Sequence, residues 1–456
     1  MLYDDTIVAI ATPPGEGGIG VVRLSGTHAL PILTQIFTPT QPGAWRPYRL
    51  RHGHVVASDG TVVDEALAVF MRGPRSFTAE DVAEISCHGG PLVIEHTLAL
   101  ALAHGARAAE PGEFTMRAFL NGRIDLTRAE ATLDVIQART DANLRLAQAQ
   151  LGGWLASELG AIRTMLLTPL AYVTALIDFP EDEVEPHDVA APLHDALAAL
   201  EGLLATAQQG IIYRQGARIA LVGLPNVGKS SLLNALLRVD RAIVTPIPGT
   251  TRDTLEETAN ICGIPVVLVD TAGITETSDL VERIGVARSR SALAAADLAL
   301  LLLDGTQPFD AEARAIAALA ADRPRMVVLN KCDLLGDEVA NARADEIRAA
   351  IGTPAVTQIS ATSGAGLDDL RQAIAQRLLG DVHPGDRMLT NPRHRDALER
   401  AANHLHDALG GQAAGLPPDL LTVDLTAALV AIGEVTGETV GDDLLNEIFS
   451  RFCIGK

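Results

Sequence analysis

The chain has 456 residues, 48% of them hydrophobic, and its 36 Lys and Arg against 57 Asp and Glu leave a formal net charge of -21. That length exceeds a single core, so two or three domains are expected, and the apolar content leaves no segment of disordered composition. The acidic balance excludes a broad electrostatic footprint on nucleic acid, so any RNA contact must be local or made by a partner.

In chain order, Met1-Leu2-Tyr3-Asp4-Asp5 has no basic region before an apolar stretch, so no signal peptide is expected. Thr6–Ile10 and Gly20–Leu24 read as strands among glycine and proline turns and Pro91–His104 as a helix, an α+β module over residues 1–120. Gly15-Glu16-Gly17-Gly18-Ile19-Gly20 matches the dinucleotide fingerprint G-x-G-x-x-G. A strand-like stretch follows where that site needs a helix, and no Asp or Glu occurs from Val21 through Ser58, so a Rossmann site is rejected.

From about Asp125 to Gln209 the text turns Ala- and Leu-rich at helical spacing, broken by the acidic run from Asp178 to Glu183; residues 121–215 are read as helical. Arg117, Arg123 and Arg128 gather at its start, as Arg393 and Arg395 do later beside His394. Solvated helix faces are the commoner reason for clusters this small, and a local nucleic-acid contact is the alternative.

Residues 216–379 are read as a nucleotide-binding α/β domain. Arg218–Val222 is a buried strand, Ser231–Leu237 a helix, and between them Gly223-Leu224-Pro225-Asn226-Val227-Gly228-Lys229-Ser230 has the form G-x-x-x-x-G-K-S/T. Its backbone N–H groups can close around phosphates, Lys229 can reach the outer ones and Ser230 can hold Mg2+. Pro248-Gly249-Thr250-Thr251 lies where such enzymes place a threonine on the metal, and Val266–Val269 leads into Asp270-Thr271-Ala272-Gly273. The next position is Ile274, which cannot orient a water as the usual glutamine does; Asp279, Glu282 or Arg283 could do so or form a solvated face. Leu298–Leu303 is too short to cross a bilayer and fits a central strand. Met326–Leu329 would deliver Asn330-Lys331-Cys332-Asp333, whose last carboxylate can accept both N–H donors of the guanine edge, and Ser360-Ala361-Thr362 fits the loop over the base. Lys229, Lys331 and Lys456 are the only lysines, each inside a short motif in a chain that otherwise spends its positive charge on arginine.

The tail is helical again over His394–Leu409 and Asp442–Phe452, so residues 121–215 and 380–456 are read as one discontinuous helical domain with the nucleotide domain inserted; independent helical modules are the alternative. Cys87, Cys262, Cys332 and Cys453 suggest a reducing cytoplasm. The terminal Cys453-Ile454-Gly455-Lys456 is a poor prenylation box, ending in lysine without a polybasic neighbour, and as a free tail it would fray.

With Thr6–Gly15, Pro111–Thr115 and Arg117–Gly122, that terminal motif closely resembles the MnmE, or TrmE, family of tRNA uridine-5-carboxymethylaminomethyl modification GTPases, from Thr6 to Lys456. The resemblance implies an N-terminal folate-binding and dimerisation domain, a discontinuous helical domain and an inserted Ras-like P-loop GTPase domain. It implies GTP contacts at Asn226, Val227, Gly228, Lys229, Ser230, Ser231, Thr245, Pro246, Ile247, Pro248, Gly249, Thr250, Thr251, Asp270, Thr271, Ala272, Gly273, Asn330, Lys331, Asp333, Ser360, Ala361 and Thr362. Mg2+ would sit on Ser230 and Thr251, and K+ on Asn226, Thr245, Ile247 and Thr250; Glu282 would position water and Lys229 assist catalysis. Arg23, Glu80 and Lys456 match contacts to 5-formyl- or 5,10-methylene-tetrahydrofolate, Arg123 matches a contact that is often lysine, and Cys453 matches a cysteine needed for modification. The implied protein is a cytoplasmic homodimer with no membrane association, which with the flavin-dependent partner MnmG modifies C5 of the wobble uridine of certain tRNAs. A ribosome-assembly switch is the alternative, sharing the GTPase chemistry but having no use for the terminal cysteine or a folate pocket.

Overall fold

The computed structural model describes residues 4–179, 187–239, 258–270, 293–319, 321, 323–353, 355–380, 385 and 387–456. The chain forms two compact units, one of Met1–Leu133, Gln150–His187 and Gly411–Lys456, the other of Asp134–Ala149 and Asp188–Gly410.

In the first unit β1 (Ile7–Ile10), β2 (Gly17–Ser25), β3 (Phe37–Pro39), β4 (Arg51–Val56), β5 (Val62–Met71), β6 (Val82–Gly89) and β7 (Arg107–Ala108) form one sheet in the order β3-β4-β5-β6-β2-β1-β7. Every pair is antiparallel except β1 with β7. Successive side chains of a strand point to opposite faces. Val22 and Leu24 therefore join Val8 under the helices Ala29–Ile36 and Pro91–Ala103, in a core with Ile32, Leu33 and Ile94. Ile7 and Ala9 face the other way, onto Phe114 of the helix Glu113–Leu120. The glycine-rich stretch at 15–20 runs straight into β2, and a Cβ on Gly89 of β6 would stand 2.3 Å from the Gly17 carbonyl, so these glycines admit a close strand pairing where a dinucleotide site would start a helix.

The helix Trp154–Asp178 is, among the described residues, the one long and apolar enough to cross a bilayer by length and composition. It packs on the helix Pro418–Thr436 and buries Leu155, Leu159, Ile162, Leu166 and Val173 as one stripe at helical spacing.

In the second unit β8 (Ala217–Val222), β9 (Thr258–Ile261), β10 (Ile264–Asp270), β11 (Leu298–Asp304), β12 (Arg325–Asn330) and β13 (Val356–Gln358) are ordered β13-β12-β11-β8-β10-β9. All neighbours are parallel except β9 with β10. A parallel sheet is covered on both faces, which explains the unbroken apolar run of β11. Leu298, Leu300 and Leu302 pack with Leu232 and Leu236, whereas Ala299, Leu301 and Leu303 pack with Ile316 and Ile347. β8 lies between β10 and β11, so strand order reverses there and the carboxyl ends of β8 and β11 border the crevice where open α/β sheets bind ligands. The helix Asp141–Leu151 belongs to this unit: Thr140 donates to the Gly263 carbonyl at 2.7 Å in the β9–β10 turn, and Asn143 to the Tyr213 carbonyl at 2.8 Å.

Candidate functional site

β8 delivers the loop 223–228 to the N-terminus of the helix Lys229–Val239. The loop lies so close to its neighbours that side chains are excluded at both glycines. A Cβ on Gly223 would stand 2.4 Å from the Leu302 carbonyl, and one on Gly228, at φ +102°, would stand 2.3 Å from Asn330 Nδ2. Lys229 is buried and its Nζ donates to the carbonyls of Gly223 and Leu224, both at 2.9 Å, which folds the ammonium back over its own loop. Asn226 holds a left-handed φ of +63° at the loop's apex. The result is a cradle of backbone N–H groups and one ammonium at a helix N-terminus, a donor set that fits a polyphosphate. Ser230 is exposed in the first turn of this helix.

Asn330 joins this loop to the rest of the site. It is 2% exposed, donates from Nδ2 to the Val227 carbonyl at 2.8 Å and accepts at Oδ1 from the Ala361 N–H at 3.0 Å. Lys331 follows in the left-handed region at φ +65°, and Asp333 sits exposed in a 3-10 turn over Cys332–Leu334. Ser360 is buried and caps its own turn through the Ser363 N–H, while Thr362 is exposed. Asn226, Val227, Lys331 and Asp304 line one cavity of about 320 Å³. The phosphate loop, the Asn-Lys-x-Asp string and the 360–362 loop are thus brought together at the carboxyl ends of the parallel strands. The backbone of Asp270, paired with Leu221, ends β10 beside β8. Thr245, Pro246, Ile247, Pro248, Gly249, Thr250, Thr251, Thr271, Ala272, Gly273 and Glu282 lie outside the described residues, as do Ile274, Asp279 and Arg283.

One participant was not singled out by any motif. Asp304, the last residue of β11, accepts from Lys331 Nζ at 2.7 Å. Burial pushes its carboxyl up, but the Lys331 ammonium and the Thr306 hydroxyl and N–H outweigh this and hold it below the ordinary aspartate value. The signal available in the sequence was an acid closing a fully apolar strand next to the phosphate loop's strand.

A second cluster lies in the first unit. The terminal motif is not a fraying tail. Gly455, at φ +93°, packs so tightly on β1 that a Cβ would stand 2.4 Å from the Ile10 carbonyl, and Arg23 Nη1 donates to the Gly455 carbonyl at 3.1 Å. Phe449 and Phe452 anchor the segment among Leu126, Ala129 and Leu133. Arg23 also pairs through Nε with Glu84 Oε1 at 2.7 Å, its cross-strand neighbour, and lies 5.8 Å over the Phe114 ring. Burial, and next the Arg23 guanidinium, pull the Lys456 amine below the ordinary lysine value, which Glu84 and Cys453 oppose only in part. Cys453 itself is exposed. An exposed thiol in the terminal turn, with the half-buried Lys456 ammonium beside the Arg23 guanidinium of β2, makes a site suited to an anionic ligand.

Glu80 lies buried in the same unit, whereas Arg123 is exposed. Glu80 is 4% exposed and accepts from the Ser25 hydroxyl at 2.7 Å; Ser25 shares a face of β2 with Arg23. Arg123 donates to the Ser76 carbonyl and lies 5.8 Å over the Phe77 ring, holding the loop that presents Glu80. Arg117, fully buried, bonds Glu80 at 3.3 Å, Asp5 at 2.7 Å and Glu113 at 2.9 Å. Arg128 donates to the Leu151 carbonyl at 3.0 Å. Of the arginine cluster expected on a solvated face, Arg123 is exposed, whereas Arg117 is buried among carboxylates and Arg128 holds the Leu151 carbonyl, since a planar five-donor cation can satisfy such groups within a fold.

Two family models match: the MnmE helical domain over residues 126–453 and the GTP-binding protein TrmE N-terminus over residues 6–123. The chain is 65% identical over 465 residues to the tRNA modification GTPase MnmE of Roseiflexus castenholzii, covering 100% of both chains. It is 60% identical to that of Chloroflexus aurantiacus, covering 99% of this chain and 100% of the relative, and 47% identical to that of Geobacter sulfurreducens, covering 100% of both. Among solved structures, Era in complex with MgGDPNP and a 16S ribosomal RNA segment overlaps 41% of this chain and 66% of its own at 31% identity and a TM-score of 0.32, too low to carry an argument.

Proposed function

The chain belongs to the MnmE family of tRNA modification GTPases, and on that premise we propose that it is a potassium-activated GTPase that uses a folate one-carbon unit to build the C5 substituent of the wobble uridine in certain tRNAs. It is a GTP hydrolase acting in tRNA modification. In the finer reading, Lys229 and the 223–228 loop hold the phosphates, Asn330 fixes that loop against the base-binding side, and Asp333 pairs with the guanine edge. Mg2+ on Ser230 and Thr251, and K+ on Asn226 and the carbonyls of Thr245, Ile247 and Thr250, would supply positive charge to the transferring phosphoryl group. Glu282 positions the water, since Ile274 cannot.

The observation that carries the modification chemistry is the docking of Gly455 against β1, which holds Lys456 beside Arg23 and leaves Cys453 exposed. A switch that only bound and released a partner would have no use for it. The two cations fit the carboxylates of 5-formyl- or 5,10-methylene-tetrahydrofolate, which supplies the carbon, while Glu80 and Arg123 shape the pocket wall. Cys453 offers a thiol for nucleophilic or proton-transfer work. The protein acts as a cytoplasmic homodimer with a flavin-bearing partner of the MnmG kind, and that partner carries much of the tRNA affinity that a chain of charge -21 lacks.

Nucleoside mass spectrometry of tRNA from cells lacking the protein tests this. Loss of the aminomethyl-type wobble uridines, restored by the intact chain and not by Cys453→Ser, is expected; unchanged nucleosides, or rescue by Cys453→Ser, would remove the folate and thiol chemistry. GTP turnover should also be much faster in potassium than in sodium, and equal rates would remove the potassium site.

A further inference from the structure

Lys331 belongs to the Asn-Lys-x-Asp string, but nothing in that string determines where its ammonium goes. A lysine ends in a point charge on a flexible four-carbon stem, and its useful placement has to be imposed from outside. Here the imposing group is Asp304. Its Oδ2 accepts from Lys331 Nζ at 2.7 Å, and its Oδ1 accepts from the Thr306 hydroxyl at 2.7 Å and the Thr306 N–H at 3.0 Å. Both oxygens are engaged, so the carboxylate cannot turn without breaking a bond on one side. Its side chain is 10% exposed, which leaves little water to compete.

The backbone fixes the same geometry. β11 and β12 pair in parallel with Asp304 opposite Asn330, and the Gly305 N–H donates to the Asn330 carbonyl at 2.9 Å. The carboxylate is therefore held level with the residue that precedes Lys331, at the strand end bordering the phosphate loop.

We propose that Asp304 is a positioning residue for guanine-nucleotide binding, holding the Lys331 side chain in the orientation that receives the nucleotide. The proposal rests on the reading that Lys331 contacts the nucleotide. The ion pair orders the lysine before the ligand arrives, so the ligand does not have to order it. Asp304 does not touch the reacting atoms; its effect is on affinity.

The test uses the full chain and fluorescent mant-GDP as probe, with GTP turnover in parallel, for the wild type, Asp304→Asn, Asp304→Glu, Lys331→Met and the Asp304→Asn/Lys331→Met pair. Asp304→Asn is expected to raise the mant-GDP Kd and the KM for GTP about tenfold, the range for a lost charge-assisted hydrogen bond, with kcat at saturation within about twofold. Asp304→Glu recovers part of the loss, and the double variant is no weaker than Lys331→Met alone, because both changes remove the same arrangement. An unchanged or tighter Kd in Asp304→Asn, with Lys331→Met weakened, would overturn the proposal and make the carboxylate a bystander or competitor. Additive losses in the double variant would overturn it too, reducing Asp304 to a structural residue. An unaffected Lys331→Met would instead sink the underlying placement of Lys331 at the nucleotide.

Discussion

Lys331 and Lys456 are both held by the fold, in opposite ways. Lys331 meets a carboxylate whose second oxygen is already bound, so its charge is compensated before any ligand arrives. Lys456 is half-buried beside the Arg23 guanidinium, with Glu84 shared between them, so its charge is disfavoured until an anion arrives. The difference teaches what each site is built to receive. A neutralised ammonium contributes shape and orientation, whereas an under-compensated pair of cations contributes electrostatic attraction.

Gly455→Ala would separate the two sites most sharply. A methyl group at φ +93°, 2.4 Å from the Ile10 carbonyl, cannot be accommodated without lifting the tail, and tRNA modification should fall about a hundredfold, the order of effect of a 1 Å misplacement in a catalytic constellation. GTP turnover should hold steady, and a parallel loss of turnover would show that the sites are not separable.

The scaffold behind the tail comes next. Arg117→Met leaves Glu80 buried without its cation and Glu113 with Arg107 alone, at a cost of about 3 kcal/mol, visible as faster hydrogen exchange across Glu113–Leu120. In Glu113, burial raises the carboxyl pKa, but Arg107, the Glu110 N–H and Arg117 outweigh it; Asp5 behaves likewise under Arg107 and Arg117. A carboxyl depressed in the folded state lends stability that is complete above its unfolded pKa and is lost as pH falls through the folded one. Protection of this helix should therefore be flat through neutral pH and collapse in acid below the ordinary carboxylate range. Arg117→Met should weaken that acid dependence without abolishing it, since Arg107 still holds Glu113 and Asp5, and an unaltered profile would assign it to other groups.

The smallest effect is the most direct reading of the contrast. With three lysines in the chain, carbon-13 methylation gives a spectrum simple enough to follow Lys456 by NMR. Its signal should titrate below the ordinary lysine value and move upward in Arg23→Gln. A signal at the ordinary lysine value and indifferent to Arg23 would place the amine in open water and erase the distinction from Lys331.

Much of the nucleotide side was legible because its parts are local. A buried strand, a glycine loop and a helix start lie within a few residues, so Arg218–Val222 and Ser231–Leu237 could be read from apolar periodicity and are found as β8 and the helix Lys229–Val239. The run Leu298–Leu303 announced a central strand because only a sheet covered on both faces needs every residue apolar. Arg117 was not legible: an arginine among arginines looks solvated until Asp5 and Glu80, from distant segments, join Glu113 of its own helix around it.

The sequence by itself therefore determined the kinds of element and the chemistry of each short motif, since backbone geometry, periodicity and side-chain donors act over a handful of residues. Only the tertiary structure decided which motifs meet. Arg23 and Gly455 lie 432 positions apart and touch because β1 and β2 offer a groove that only a residue without a Cβ can enter. Asp304 reaches Lys331 because two parallel strands adopt one register out of several, and register is fixed by packing on both faces of the sheet rather than by either strand alone.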